Sequence, residues 1–392
     1  MEDIKRITFV LIIYDYFMAG IYIHIPFCRK ACHYCNFHFS TSKQWIPEMM
    51  EAIRKEAGLR KGYVSEKIDT LYFGGGTPSL ITKEEVRSTI DRIYSLFDVD
   101  AGAEITLEAN PDDITEENLA GWKDAGINRL SIGIQSFFEE DLQWMNRAHN
   151  AEQAFNSILL AQKAGITNIS IDLIYGTPSL TNEKWESNVR TALSLNIPHL
   201  SCYALTVEPK TALAKLIATH QLADVDADKQ ARHFALLTQW LGAADFEHYE
   251  ISNFALPGFK SRHNSSYWEG KSYLGLGPSS HSFNGNSRQW NISNNASYLK
   301  ALDAGDVPFE REALSDVQQL NEFIMIRLRM MEGIPVKQVS EKWGNELAQV
   351  LLQSAQKHIG YGHIVYLHDS LQLTKEGKFL ADGIAADLFI SE

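Results

Sequence analysis

"IYIHIPFCRKACHYCNFHFS", residues 21–40, joins a short apolar run to a loop that carries three cysteines, and its first half sets the pattern for the next 185 or so residues. A run of that length suits a strand. Comparable runs return as "IDTLYF" from Ile68, "EITLEA" from Glu104, "RLSIGI" from Arg129, "ISIDLIYG" from Ile169 and "HLSCYAL" from His199, mostly separated by segments of helical periodicity such as 44–61 and 83–97. Nearly continuous apolar runs alternating with helices indicate parallel strands covered by helices on both faces. The expected fold is α/β, a partial (β/α)6 barrel. An open doubly wound sheet shares the same periodicity.

In either architecture chemistry gathers just past the carboxyl ends of the strands. After the first strand come the cysteines, and after the second comes "GGGTPS", 74–79. The third ends in Glu108 and runs into "ANPDD", the fourth leads into "QSF", and the fifth carries Asp172 before "YGTPS". Five successive strand ends with polar or glycine-rich signals imply one shared site. Residues 1–17, "MEDIKRITFVLIIYDYF", are read as an extension or a misassigned start, because the apolar run is too short to span a bilayer and no small-residue cleavage site precedes Met18. Residues 18–225 then form the partial barrel, and 226–310 an α+β extension rich in aromatic residues. In 311–392, helical segments around 315–331, 336–343 and 346–358 precede "GHIVYLHDSLQLT" and a last helix, a small winged-helix-like module.

With 49 acidic against 36 basic residues, the net charge of -13 repels polyanions and argues against nucleic acid as a partner. Four cysteines in 392 residues are no disulfide framework. Cys28, Cys32 and Cys35 in one "CxxxCxxC" loop, with Cys202 far away, suit a metal site in a reducing, cytoplasmic compartment. Zinc would need a fourth ligand, from His24, His33 or His38. A four-iron cluster held by three thiolates keeps one iron without a protein ligand, and Phe37 stands where a further cysteine might have closed it.

The cysteine triplet followed by "GGGTPS" resembles the radical S-adenosylmethionine (SAM) superfamily. Together with "YIHIPFC", "EANP", "RLSIGIQSF", "DLIYGTP" and "HYEISNFA" it resembles the branch that holds oxygen-independent coproporphyrinogen III oxidases (HemN) and heme chaperones (HemW), from Gly20 to the tail. The resemblance implies a [4Fe-4S] cluster on Cys28, Cys32 and Cys35, whose open iron is chelated by SAM and whose electron cleaves the sulfonium to a 5′-deoxyadenosyl radical. It places Tyr22 beside the SAM adenine and Gly75, Gly76 and Thr77 against the methionine end, where glycine lets backbone N–H groups approach a carboxylate. Glu108, Gln135, Arg147 and Asp172 match the remaining SAM contacts. Asp172 stands out without the family, since a carboxylate inside "ISIDLIY" needs a partner or a ligand.

Within that branch two functions compete. The oxidases carry another cysteine two positions past the third ligand and a substantial leading segment. Here Phe37 stands at that position, and at most twenty residues precede the first strand. "HNSSYW", 263–268, resembles an element associated with heme in the chaperones, which implies heme contacts from His263, Asn264, Tyr267 and Trp268, with His281 contributing less. The reading is a heme chaperone that hands heme to client hemoproteins, respiratory ones by family analogy, with an external electron donor and peripheral membrane association through those clients. No coproporphyrinogen oxidase activity and no catalytic residue of the chain itself is expected, although the SAM site is kept. The alternative is coproporphyrinogen III dehydrogenase.

Overall fold

The structure, a computed structural model, describes residues 18–391, so the expectations for residues 1–17 lie outside it. Strands β1 (Met18–Ile25), β2 (Lys67–Gly75), β3 (Val99–Ala109), β4 (Arg129–Gln135), β5 (Ile169–Tyr175) and β6 (His199–Ala204) lie in sequential order, and every neighbouring pair is parallel. Sequential order is that of a barrel wall. A doubly wound sheet, whose strand order reverses at a switch point, is excluded.

The connecting helices are α1 (Ile46–Leu59), α2 (Lys83–Leu96), α3 (Glu116–Asp124), α4 (Glu139–Trp144), α5 (Ala151–Lys163) and α6 (Asn182–Ser194). Their starts are written locally. Thr82, Thr115 and Thr181 each accept the N–H three residues on, and Asn150 forms a reciprocal capping box with Gln153. The apolar faces of these helices, with Met49, Ile53, Val86, Ile90, Trp122, Ile158, Trp185 and Val189, pack on outward-facing Ile21, Ile23, Leu71, Phe73, Leu107, Ile132, Ile171 and Leu200.

Helices on both faces, as the apolar runs suggested, is corrected here. Residues alternate across a strand, and the inward set is polar or aromatic: Tyr22 and His24 on β1, Thr70 and Tyr72 on β2, Glu104, Thr106 and Glu108 on β3, Arg129 and Ser131 on β4, Ser170 and Asp172 on β5, His199 and Ser201 on β6. Their mutual contacts, among them Tyr72 Oη to Glu108 Oε1 (2.8 Å) and Ser170 Oγ to His199 Nδ1 (2.7 Å), hold the interior together.

After α7 (Ala212–Ala218) and α8 (Ala227–Gly242) the chain lengthens the same sheet at both edges. Strands β7 (Glu247–Glu250) and β8 (Asn253–Ala255) extend it antiparallel beyond β6, and between them and the next strands α9 (Arg262–Trp268) packs under β1 and β2. Strand β9 (Tyr273–Leu276) runs parallel to β1, followed by antiparallel β10 (His281–Phe283), β11 (Ser287–Asn291) and, after α10 (Asn295–Asp303), β12 (Phe309–Ala313). Buried Glu56 of α1 pins this wing. It accepts from Gly277 N (2.8 Å), Asn291 Nδ2 (2.7 Å) and Tyr298 Oη (2.6 Å), and Arg60 pairs with it at 3.3 Å.

The C-terminal residues have their own apolar core, built from Leu320, Ile324, Val339, Leu351, Ile364, Leu371 and Ile384 among others. It comprises α11 (Asp316–Leu328), β13 (Ile334–Pro335), α12 (Val336–Trp343), α13 (Asn345–Gly360), the hairpin β14 (Ile364–Leu367) and β15 (Ser370–Leu373), and α14 (Ala381–Asp387). Among the described residues no helix is long and apolar enough to cross a membrane.

Candidate functional site

The cysteine loop is closed at its neck. Cys28 N–H donates to Ser40 O (3.0 Å) and Ser40 N–H to Pro26 O (2.9 Å), just beyond the buried ring of Phe27. Further out, His33 N–H reaches Met145 O (3.1 Å), its Nδ1 reaches Trp144 O (3.0 Å), and Asn146 Nδ2 donates to Ala31 O (2.7 Å). The histidines considered as a fourth metal ligand have other partners. His24 Nε2 meets His38 O (3.0 Å), and His38 Nε2 meets Asn295 Oδ1 (2.7 Å).

The three thiols share the rim of a cavity of about 450 Å³ at the carboxyl ends of the parallel strands. Gly75, Gly76, Thr77, Glu108, Gln135, Arg147 and Asp172 line it as well. Tyr22 is the exception among the residues expected to hold the cluster and SAM: it lines the neighbouring cavity. Burial pushes the Cys28 thiol up to about 11 and raises Cys35, so a metal taking these thiols as thiolates would displace protons. Three thiols and no fourth cysteine on one rim fit a cluster with one open iron.

The glycine turn has a tighter role than the sequence implied. A Cβ on Gly76 would stand 2.6 Å from Phe27 O and 2.9 Å from Ile25 O, and its N–H already donates to Ile25 O (2.9 Å). Its amide is therefore engaged in closing the first two strand ends and is not free for a ligand. Gly75 directs its N–H to the Glu108 carboxylate.

Beside the cysteines, the Arg147 guanidinium bridges the loop to the barrel. Nη1 lies 3.4 Å from Cys32 Sγ and 3.2 Å from Tyr34 Oη, while Nη2 donates to Asn110 Oδ1 (2.9 Å) and Gly133 O (3.0 Å). Its Nε is buried with no partner among the described residues. Gln135 adopts φ +66°, a left-handed conformation uncommon for a residue with a side chain, where β4 shifts register against β5. Deep in the barrel, burial raises Glu108 to about 7, with the Asp172 charge adding to it, and raises Asp172 to about 6 against the pull of Arg147 and Arg129. Two carboxylates so placed gain from a bound cation or a ring of hydroxyls. The sequence reading missed Asn110, Tyr34 and Tyr72. Asn110 was legible in "ANPDD" at a strand end; the tyrosines carry no local signal.

A second cavity, of about 930 Å³, opens between the barrel mouth, the β9–β11 wing and the C-terminal module. It shares Asn36, Phe37, Gly75 and Glu108 with the first. The "HNSSYW" segment forms α9, and its residues divide. Tyr267 and Trp268 line this cavity, and His263 and Asn264 do not. The His263 ring, 1% exposed, sits between Thr70 Oγ1 (2.7 Å from Nδ1) and Tyr267 Oη (2.8 Å from Nε2), stacked 4.9 Å from Tyr72. Both of its nitrogens are occupied.

The family model described as the Radical SAM superfamily matches residues 22–192, and that of the HemN C-terminal domain matches 314–380. The heme chaperone HemW of Bacillus subtilis (strain 168) is 32% identical over 94% of this chain and 98% of its own. That of Escherichia coli (strain K12) is 30% identical over 95% and 98%. Among solved structures, coproporphyrinogen III oxidase (HemN) from Escherichia coli, a radical SAM enzyme, superposes with a TM-score of 0.82 at 23% identity over 95% of this chain and 90% of that one, a likeness of fold.

Proposed function

We propose that this chain, which belongs to the HemW family of the radical SAM superfamily, binds heme in the larger cavity and passes it to hemoproteins, respiratory ones among them. The superfamily implies a [4Fe-4S] cluster and SAM. Cys28, Cys32 and Cys35 would hold the cluster, and Gly75, Gly76, Thr77, Glu108, Gln135, Arg147 and Asp172 would surround SAM, while Tyr22 lines the neighbouring cavity. Together the two groups supply radical chemistry. The residues of this chain orient them: Arg147 ties the cysteine loop to the barrel, Glu108 and Asp172 offer carboxylates, and Gly76 closes the first two strand ends.

The observation that carries the heme reading is the larger cavity itself. At about 930 Å³ it is of cofactor size, and Tyr267, Trp268, Tyr273, Phe283, Phe323 and Trp343 give it flat apolar walls with polar edges. A porphyrinogen would fit such walls too, so the chemistry separates chaperone from oxidase. Phe37, 66% exposed at the boundary of the two cavities, occupies the place of the oxidases' extra cysteine and supports the chaperone.

The test is parallel heme titration and coproporphyrinogen III turnover on anaerobically purified protein carrying the cluster. Heme should bind at one equivalent, with no carbon dioxide released from the substrate. Sustained release would move the chain to the oxidase class. A cluster that forms normally in a Cys28→Ala, Cys32→Ala or Cys35→Ala variant would overturn the ligand assignment.

A further inference from the structure

The "HYEISNFA" segment, 248–255, lines neither cavity, and its first side chain faces the C-terminal module. His248 of β7 lies flat on Phe254, ring centroids 4.1 Å apart, and its Nε2 donates to Ile251 O (3.0 Å). A neutral imidazole that donates through one nitrogen keeps a lone pair on the other. Here that lone pair, on Nδ1, meets Lys378 Nζ at 3.2 Å. Burial, with the Lys378 charge adding to it, lowers His248 to about 4, so the ring stays neutral.

Lys378 stands in the turn Gly377–Leu380, just before α14. The turn is fixed: a Cβ on Gly377 would lie 2.0 Å from His363 O, and Lys378 N–H donates to Thr374 O (3.1 Å). Nζ also lies 2.9 Å from Met331 Sδ, and among the described residues no carboxylate pairs with it. Lys357 of the same module differs, pairing with Asp387 at 2.8 Å. Burial lowers the Lys378 amine to about 8, whereas Asp387 raises Lys357. Lys378 is half-buried, while Met331, Phe379 and Leu380 around it are exposed, so a small reagent reaches the amine from solvent. The apolar flanks, Met331, Phe379 and the Phe234 ring 5.0 Å from Phe379, suit a short acyl chain.

We infer that Lys378 is a modification site, a nucleophilic amine that takes a short acyl group from an acyl phosphate with His248 as its proton acceptor; the inference holds whatever the two cavities contain. The free amine attacks the acyl carbon, the C–N bond forms, the bond from that carbon to the phosphate oxygen breaks, and phosphate leaves. The surplus proton on nitrogen passes to His248 Nδ1 and on to solvent, and no electron is transferred. The product carries no charge, and its added group lies where β7 meets the module, beside the bond from Met331 N–H to Tyr249 O (3.3 Å). Modification therefore loosens this join.

Incubation of the full chain with acetyl phosphate near neutral pH, followed by peptide mass spectrometry, tests the site. Lys378 should be acetylated about tenfold or more faster than Lys357. His248→Phe, which keeps the stack on Phe254, should lower the limiting rate at high pH several-fold. Hydrogen exchange at the Met331 amide should quicken about threefold or more in Lys378→Gln, a mimic of the acetylated side chain, and stay parental in Lys378→Arg. Lys378 labelled no faster than Lys357 overturns the site. An unchanged limiting rate in His248→Phe overturns the role of the imidazole. Parental exchange in Lys378→Gln, or equal quickening in Lys378→Arg, overturns the loosening.

Discussion

Gly76 and Asp172 were both legible in the sequence, one as part of a turn and the other as a charge in an apolar run, yet the structure gives each a cause the sequence did not carry. For Gly76 that cause is the backbone of Phe27 and Ile25, which leaves no room for a Cβ. Gly76→Ala should therefore cost about 1–3 kcal/mol in denaturant unfolding and blunt any change that SAM makes in the cluster's EPR spectrum. An alanine variant of parental stability would show that the turn relaxes freely. For Asp172 the cause is burial, which raises its pKa to about 6. A carboxyl raised above its unfolded value of about 4 binds more protons folded than unfolded, so its contribution is fully present below pH 4 or so and is lost as pH climbs through 6. Asp172→Asn abolishes that loss. The variant should gain on the parent by about 1–3 kcal/mol between pH 4 and 7 in unfolding titrations. If the parent gains instead, an unrecognised cation holds the carboxylate ionised.

Elements fared unevenly for a physical reason. The six parallel strands and their helices announce themselves because each is long enough for its apolar pattern to repeat. Strand β5 over Ile169–Tyr175 and α2 over Lys83–Leu96 fall where the runs placed them. Strands β7 to β12 span five residues or fewer and are defined by pairing with distant partners, which local pattern cannot show. Helix α9 is the sharpest case. Seven residues are too few to be stable alone, and it stands because Ser261 caps it and the Glu104 carboxylate, from β3, accepts the N–H groups of Arg262 and His263 at 3.2 Å each. His263→Ala removes its anchor and leaves Thr70 and Tyr267 without their partner. It should cost about 2–4 kcal/mol in chemical denaturation, a loss that marks the histidine as structural. The inward polar face was hidden for a related reason: alternation of isoleucine with tyrosine, threonine or serine still reads as strand, and only the assembled barrel reveals which side faces what.

At the scale of the molecule, the small cavity is bounded by residues 28–208, while the large one needs the C-terminal module as well. Arg329 joins the two bodies: Nε donates to buried Glu250 (3.0 Å), Nη1 to Asp382 (3.2 Å), and the guanidinium lies 5.5 Å from the Trp268 ring. Arg329→Ala should loosen that seam, lowering heme affinity several-fold while the cluster's EPR response to SAM stays as in the parent; isothermal titration with each ligand reads the difference. Equal losses for both would mean that the seam supports the whole barrel. Between the two cavities stand Asn36, Phe37, Gly75 and Glu108, wall to both. With SAM in one cavity and heme in the other, as proposed, any coupling across these shared walls would be reciprocal: the factor by which SAM altered the grip on heme would be the factor by which heme altered the grip on SAM. On the proposed function such a chain would work as a two-input gate, the state of the cofactor chamber setting when cargo is held and when it is let go.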